Sequence, residues 1–153
     1  MQNVERIRTH GVELAWQGRG VVWRGLDLSA NLTYADSVIT RNTVLPASVG
    51  KRQPRVPEWR AHLLAEHRFD ERWSGSAGAR YSGPMFGQLD NSDINGMAYQ
   101  GFSGYLVTDL RVQCRITRQW RASLGVDNLG NREYWAFHPY PQRTLHAELR
   151  WDL

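Results

Sequence analysis

The sequence predicts an all-β protein, a transmembrane antiparallel β-barrel of which this chain supplies a portion. Three observations carry that expectation. Apolar residues recur with a period of two rather than the helical period of about 3.6, so side chains alternate between the two faces of extended strands. The strands so defined reach or exceed the roughly 9–11 residues of a tilted membrane strand, whereas strands of soluble domains average about 5–6. Aromatic residues (Trp59, Phe69, Trp73, Tyr81, Trp120 and Trp151) stand at strand ends, where an aromatic girdle meets lipid headgroups.

The elements follow in order. The first strand covers residues 12–17 and starts further upstream. The second covers 26–38, with Leu26, Leu28, Ala30, Leu32 and Tyr34 on one face and Asp27, Ser29, Asn31 and Thr33 on the other. The third runs over 59–69, where Trp59, Ala61, Leu63, Ala65, His67 and Phe69 alternate with Arg60, His62, Leu64, Glu66 and Arg68. Asp70, Glu71 and Arg72 turn the chain into a fourth strand, 73–82, whose apolar face is Trp73, Gly75, Ala77, Ala79 and Tyr81. The fifth, 106–116, sets Leu106, Thr108, Leu110, Val112, Cys114 and Ile116 against Val107, Asp109, Arg111, Gln113 and Arg115. Thr117, Arg118 and Gln119 lead into the sixth, 120–127. In the seventh, 145–153, Leu145, Ala147, Leu149, Trp151 and Leu153 oppose His146, Glu148, Arg150 and Asp152. Short connections near 18–24, 70–72 and 117–119 alternate with long ones near 40–57, 84–103 and 130–142. Outer-membrane barrels show this asymmetry of tight turns at one rim and large loops at the other.

Composition narrows the function classes. One cysteine, Cys114, rules out an internal disulfide framework. The 41% hydrophobic and 22% charged fractions are not those of a disordered chain. Lys plus Arg number 19 against 15 Asp plus Glu, and a net charge of +4 is weak support for nucleic-acid binding. No stretch approaches the roughly 18 apolar residues of a membrane helix, which excludes a helical span and leaves a barrel open. There is no acid pair, nucleophile elbow or glycine-rich phosphate loop, so an enzyme is not expected. The opening MQNVERIRTHGVELA lacks the apolar core of a secretory signal. The expectation is a piece of something longer rather than a cytoplasmic protein. Backbone accounting points the same way. An open sheet edge is not tolerated in lipid, and single-chain bacterial barrels have even strand numbers of about eight or more. Seven strands then form part of a larger barrel. A missed eighth strand, giving a small self-contained barrel, or a soluble β domain that binds a partner through its long loops, is the alternative.

The last forty or so residues carry a resemblance. Val126-Asp127-Asn128-Leu129-Gly130-Asn131-Arg132-Glu133-Tyr134, an NLxxxxY pattern, leads into 135–142, the pair Arg143-Thr144 and a final amphipathic strand. Upstream, Gly11-Val12-Glu13-Leu14 reads as a GxE strand opening, and Arg55-Val56-Pro57-Glu58-Trp59 as a proline-led strand entry. Together these segments resemble the C-terminal barrel of TonB-dependent outer-membrane receptors of the siderophore type, strongly at 126–153 and more loosely upstream.

The resemblance implies about seven strands of a 22-stranded barrel that holds an N-terminal plug. It implies an outer-membrane location and a periplasmic TonB-type energy-coupling protein as partner. The substrate it implies is a ferric siderophore most often, with haem, cobalamin, other metal chelates and sugars as alternatives. The chain departs from the family in having no signal peptide, no plug, no coupling motif, and Leu153 where the family prefers an aromatic. The expectation is therefore a plug-less fragment that does not transport alone, set in outer-membrane lipid, with no cofactor and no nucleic-acid partner.

Candidate ligand-binding residues lie in the last long loop. Arg132, Tyr134, Trp135, His138, Tyr140 and Arg143 combine aromatic faces with cations, a pattern that suits an anionic, aromatic-bearing chelate. The plainer reading is a rigid loop that anchors the rim. The run Asp90 to Gly96 places oxygen donors at alternate positions like a calcium loop, but without its distal glutamate. No histidine pair has metal-ligand spacing, and no metal is expected. His62 and His146 fall on polar faces, His67 near a turn at the membrane interface, and Cys114 on the lipid face. Glu66, Arg68, Arg80, Arg111, Arg115, Glu148 and Arg150 form a charged wall that the resemblance turns toward a plug.

Overall fold

The computed structural model describes residues 4–152. Seven strands, each hydrogen-bonded to the next in chain order, form one antiparallel sheet. They are β1 (Arg6–Gly18), β2 (Leu26–Arg41), β3 (Trp59–Arg68), β4 (Trp73–Ser82), β5 (Tyr105–Arg115), β6 (Trp120–Asp127) and β9 (Thr144–Trp151). Two further strands, β7 (Trp135–Ala136) and β8 (His138–Pro139), make a tiny hairpin inside the last long loop. The sequence reading missed that hairpin because two-residue strands leave no periodicity. β1 starts at Arg6, upstream of residue 12 as expected, and β2 continues to Arg41, three residues past the expected end. Its outer part continues past the apolar band, where polar side chains replace the pattern.

Within the described residues β1 and β9 lie at opposite edges and do not pair with each other. This overturns the alternative of a small self-closed barrel. The two further strands, β7 and β8, pair with each other in a separate sheet and are too short to cross a bilayer.

The register keeps one set of side chains on one face through all six pairings. Leu14 lies opposite Leu32, Ala30 opposite Leu63, Leu63 opposite Ala79, Ala77 opposite Leu110, Val112 opposite Leu124, and Leu124 opposite Ala147. A slip of one residue anywhere would turn a whole strand inside out. This face is a single layer with nothing packed on it. Leu14, Leu63, Leu124 and Leu149 are between 48% and 66% exposed. Such a continuous apolar surface is covered by lipid in a barrel. Aromatic rings border it at both heights. Tyr34 and Trp59 pack at 4.7 Å near the long-loop end, and Trp120 and Trp151 sit 6.4 Å apart near the short-turn end. His67 falls at that lower border as expected, with Phe69 edge-on at 4.7 Å and the Trp23 indole donating to its Nδ1 at 3.3 Å.

Two of the three tight turns share one device. The Asp70 carboxylate accepts the amides of Arg72 (2.6 Å) and Trp73 (2.7 Å), and the Thr117 hydroxyl accepts those of Gln119 (3.2 Å) and Trp120 (3.0 Å). Each acceptor stands three residues before a strand that opens with tryptophan. The two amides hold Asp70 ionised below the usual carboxylate range. Gly11, in the GxE opening, has a packing reason. A Cβ there would strike the carbonyl oxygen of Tyr34 on β2.

The inward face is polar and cross-linked. Arg111 reaches Glu148 at 2.6 Å and the Ser123 hydroxyl at 3.0 Å, and Arg121 and Arg150 both approach Asp152. Of the expected charged wall, Glu66, Arg68 and Arg115 form no ion pair among the described residues. His146 looks inward as expected, lying across Gly125, with Nδ1 3.9 Å from Asp127.

Beyond the apolar band, residues 42–53 fold back on β2. The Ile39 amide donates to Lys51 O at 2.9 Å, and Gly50 returns a bond to Ile39 O at 2.8 Å. A single 3₁₀ turn, Pro46–Ser48, places Ser48 against Asn42, whose amide donates to the Ser48 hydroxyl at 2.9 Å. Ile39, Asn42 and Ser48 are buried to within 1% of completely.

Candidate functional site

The three long loops, 42–58, 83–104 and 128–143, emerge at the same end of the sheet and meet there. The last begins where Asp109 on β5 accepts two partners. Its carboxylate takes the Arg80 guanidinium at 3.0 and 3.3 Å and the Asn128 amide at 2.9 Å. Asn128 has φ 52°, a left-handed conformation that asparagine tolerates well. Its side chain closes the turn in both directions, donating to Arg132 O and accepting from Arg132 N, each at 2.8 Å. The asparagine of the NLxxxxY pattern is thus the hinge that ends β6.

The tyrosine of that pattern is a packing residue. Tyr134 is 4% exposed, its ring 4.2 Å from Tyr105 and stacked on Tyr140 at 4.9 Å. Burial pushes its phenol up from 10.0 to about 12, despite the opposing effect of Arg80. A phenol kept neutral by folding holds its contribution below pH 10 and loses it as pH rises toward 12, because only the unfolded chain ionises across that window. Protease resistance of the loop is expected to fall between those values, and Tyr134→Phe is expected to flatten the fall. An unchanged alkaline profile in that variant would contradict the assignment.

Loops 83–104 and 128–143 are zipped through their backbones. Trp135 N donates to the Ser103 hydroxyl at 2.8 Å, Ser103 N to Trp135 O at 3.0 Å, Phe137 N to Gly101 O at 2.9 Å and Gln100 N to Phe137 O at 2.8 Å. Tyr99 presents its ring to Trp135 at 5.2 Å and to His138 at 5.9 Å, both edge-on. Loop 42–58 joins through Arg55. Its amide donates to Phe86 O at 2.7 Å, and its guanidinium lies 5.8 Å from the Phe102 ring centroid and 5.5 Å from that of Phe137. Beside it opens a cavity of about 330 Å³, lined by Arg55, Gln88, Asp93, Tyr99, Gln100 and Phe137 among others.

The six residues nominated from sequence lie along one loop with unequal roles. Tyr134 is buried, Trp135 is part of the zipper, and the Arg143 Nε donates to Leu129 O at 2.9 Å while its amide donates to Asn131 at 3.0 Å. Arg132, His138 and Tyr140 are exposed. The calcium-like run is turned inward on its own backbone. Asp93 accepts from the amides of Gly87 (2.5 Å) and Gln88 (3.2 Å), Asp90 from the Ser92 hydroxyl and amide, and Asn95 from Met97 N. The Ser92 hydroxyl above all, then its amide, holds Asp90 below the ordinary carboxylate range. Among the described residues no group of three or more His, Cys, Asp or Glu is placed to hold a metal ion.

Sequence reasoning missed Asp109, Tyr99, Phe137 and Arg55. Asp109 and Tyr99 carry no distinctive local signal. Nor does Arg55, because the left-handed position after Pro54 is one that glycine or asparagine ordinarily marks, and arginine does not announce it.

A single-layer amphipathic sheet with an aromatic-bordered apolar face, a polar inner wall and large loops at one rim defines a segment of an outer-membrane β-barrel. The chain belongs to the family described as TonB dependent receptor-like, beta-barrel, whose pattern matches residues 1–129. The match stops short of most of the 126–153 segment, where the resemblance read from sequence was strongest. The chain is similar in structure to the siderophore receptor PiuA from Acinetobacter baumannii (22% identity, TM-score 0.73, 92% of this chain and 20% of that one). It is similar also to the ferric-catecholate import receptor Fiu from Escherichia coli K12 (21%, 0.76, 98% and 22%). A third similar structure is the ferric citrate transporter FecA (16%, 0.80, 95% and 24%). The chain thus spans between a fifth and a quarter of these receptors. No curated protein matches it. The family places the chain in the bacterial outer membrane.

Proposed function

We propose that the chain forms the C-terminal wall and three outer loops of a receptor that imports a ferric siderophore or related metal chelate by TonB-coupled transport. The observation that carries this reading is the open sheet. Its outer face is fit for lipid and its inner face for a water-filled or plugged lumen, while β1 and β9 each present an unpaired edge. In lipid those edges require further strands, and the solved receptors similar to this chain are four to five times longer. The plug and the energy-coupling protein belong to the longer assembly, and the seven-strand wall alone does not transport. The loops over its mouth, including Arg132, Tyr134, Trp135, His138, Tyr140 and Arg143, contribute the rim of the ligand vestibule.

Two measurements test this. The reading frame upstream of Met1 is expected to encode strands that pair with β1 and a plug. Deleting the gene is expected to lower uptake of radiolabelled ferric chelate by iron-starved cells, with restoration by the intact gene. Uptake of every chelate tried remaining unchanged would overturn the proposal.

A further inference from the structure

We infer that the cavity where the three loops meet binds a hydroxycarboxylate, with Arg55 as its anion anchor. Arg55 lies outside the loop that the sequence nominated. Its guanidinium faces two aromatic rings, Phe102 and Phe137, and no carboxylate lies within 4.0 Å of it among the described residues. By contrast Arg80, Arg111 and Arg121, on the inner wall, are all ion-paired.

The backbone around the cavity is strained in a concentrated way. Arg55, Gln100 and Phe137 have φ of 63°, 70° and 72°, and all three line the cavity. Non-glycine residues in that region persist where the surroundings over-determine them, and they cluster at ligand clamps. Here a side chain is retained at a turn position that glycine would occupy without strain, and among the described residues that side chain is the only cation lining the cavity.

The chemistry of the lining selects the ligand. A guanidinium offers parallel N–H donors that match a planar carboxylate, and the flanking rings fix its plane and thin the water around it. Gln88 and Gln100 add neutral amides suited to an oxygen-rich molecule. Asp93 sets the second requirement. Each of its carboxylate oxygens already accepts one backbone amide, and each keeps a lone pair for a further donor. A purely anionic guest would meet that charge unfavourably, whereas a guest with a hydroxyl beside its carboxylate uses both Arg55 and Asp93. The volume of about 330 Å³ admits a molecule of citrate size or one arm of a larger chelate.

The inference rests on the uptake reading only for the origin of the ligand, and the contact is testable apart from transport. Outer-membrane vesicles from cells producing the protein would be titrated with radiolabelled citrate, using vesicles from the deletion strain as background. Tricarballylate, which keeps the three carboxylates and lacks the hydroxyl, and inorganic phosphate would serve as competitors. Saturable citrate binding is expected. Tricarballylate should compete about tenfold more weakly, as expected for one lost hydrogen bond to a charged group, and phosphate more weakly still. Arg55→Gly should weaken citrate binding by about 30-fold or more while the protein reaches the membrane at the normal level, because glycine takes the left-handed turn without strain. Arg55→Lys, which keeps the charge and loses the fork, should weaken it by about tenfold, and Arg118→Gln, in the exposed short turn at the opposite rim, by less than about twofold.

No saturable citrate binding in vesicles that contain the protein would overturn the inference. So would wild-type affinity in both Arg55 variants, or competition by tricarballylate or phosphate equal to that of citrate. Citrate binding through Arg55 in cells that import no chelate would sink the uptake reading alone. Chelate uptake alongside Arg55-independent citrate binding would sink this inference alone.

Discussion

Leu63→Arg is expected to keep the sheet out of the membrane, whereas Leu64→Arg, one residue along the same strand, is expected to leave assembly nearly intact. Leu63 sits midway between the aromatic borders, opposite Ala30 on β2 and Ala79 on β4. An arginine on the lipid face at that depth costs about 2–4 kcal/mol. Leu64 points inward between Ser29 and Gly78 and lines the polar lumen, where a guanidinium joins other charges in water. The measurement is the fraction of protein in the outer membrane that migrates as folded before heating and unfolded after it. Equal behaviour of the two variants would mean that the assignment of inside and outside is wrong for β3, and through the register for the whole sheet.

The second large effect is expected at Asp109. Asp109→Ala removes the acceptor of both the Arg80 guanidinium and the Asn128 amide. The loss is expected to be about 1–3 kcal/mol, since two partly buried donors are left without their partner. Asp109→Asn keeps an oxygen for the Asn128 amide and loses only the ion pair, so it should cost less. Adding Arg80→Ala to Asp109→Ala should cost less than the sum of the two, which marks direct coupling. Breaking the more exposed Arg121–Asp152 pair with Arg121→Ala should cost at most about 1 kcal/mol. Thermal unfolding in vesicles gives the ranking, and external protease reports whether loop 128–143 is released first. A ranking in which Arg121→Ala exceeds Asp109→Ala would refute the role given to Asp109.

The sheet was legible because a membrane wall writes its geometry in the plainest code a sequence has. One face must be apolar at every second residue, and the register cannot slip without exposing charge to lipid. Trp59, Leu63, Trp73 and Leu124 therefore announced both strand and side. Where lipid no longer constrains the chain, the code ended. The start of β1 was left open and the last three residues of β2 went unread because Arg8, His10, Thr40 and Arg41 obey no apolar alternation, although β1 and β2 pair as far as Arg6 and Arg41. The candidate site was legible only in part. Composition pointed to an aromatic, cationic loop at 132–143, but Tyr134 and Arg143 turned out to hold that loop's shape. Arg55 and Asp109 lie 77 and 19 residues before Arg132 and Asn128 in the chain, and their importance comes from pairings made only on folding. Nothing local in the sequence states them.

The fold-back of residues 42–53 onto β2 has a consequence for how the molecule tolerates change. A wall one side chain thick has no interior, so most of its positions need satisfy only a preference for oil or water, and many residues meet either. Of the four most fully buried side chains, Val107 belongs to the wall, whereas Asn42 and Ser48 stand outside the apolar band, in the segment that sequence alone would dismiss as connection, next to Ile39 on the adjoining end of β2. A random mutational scan scored by folded yield should therefore show its sharpest intolerance there, with the apolar face permitting broad exchange among aliphatic residues. In this protein the loop carries the demand for fit that a soluble domain places on its core.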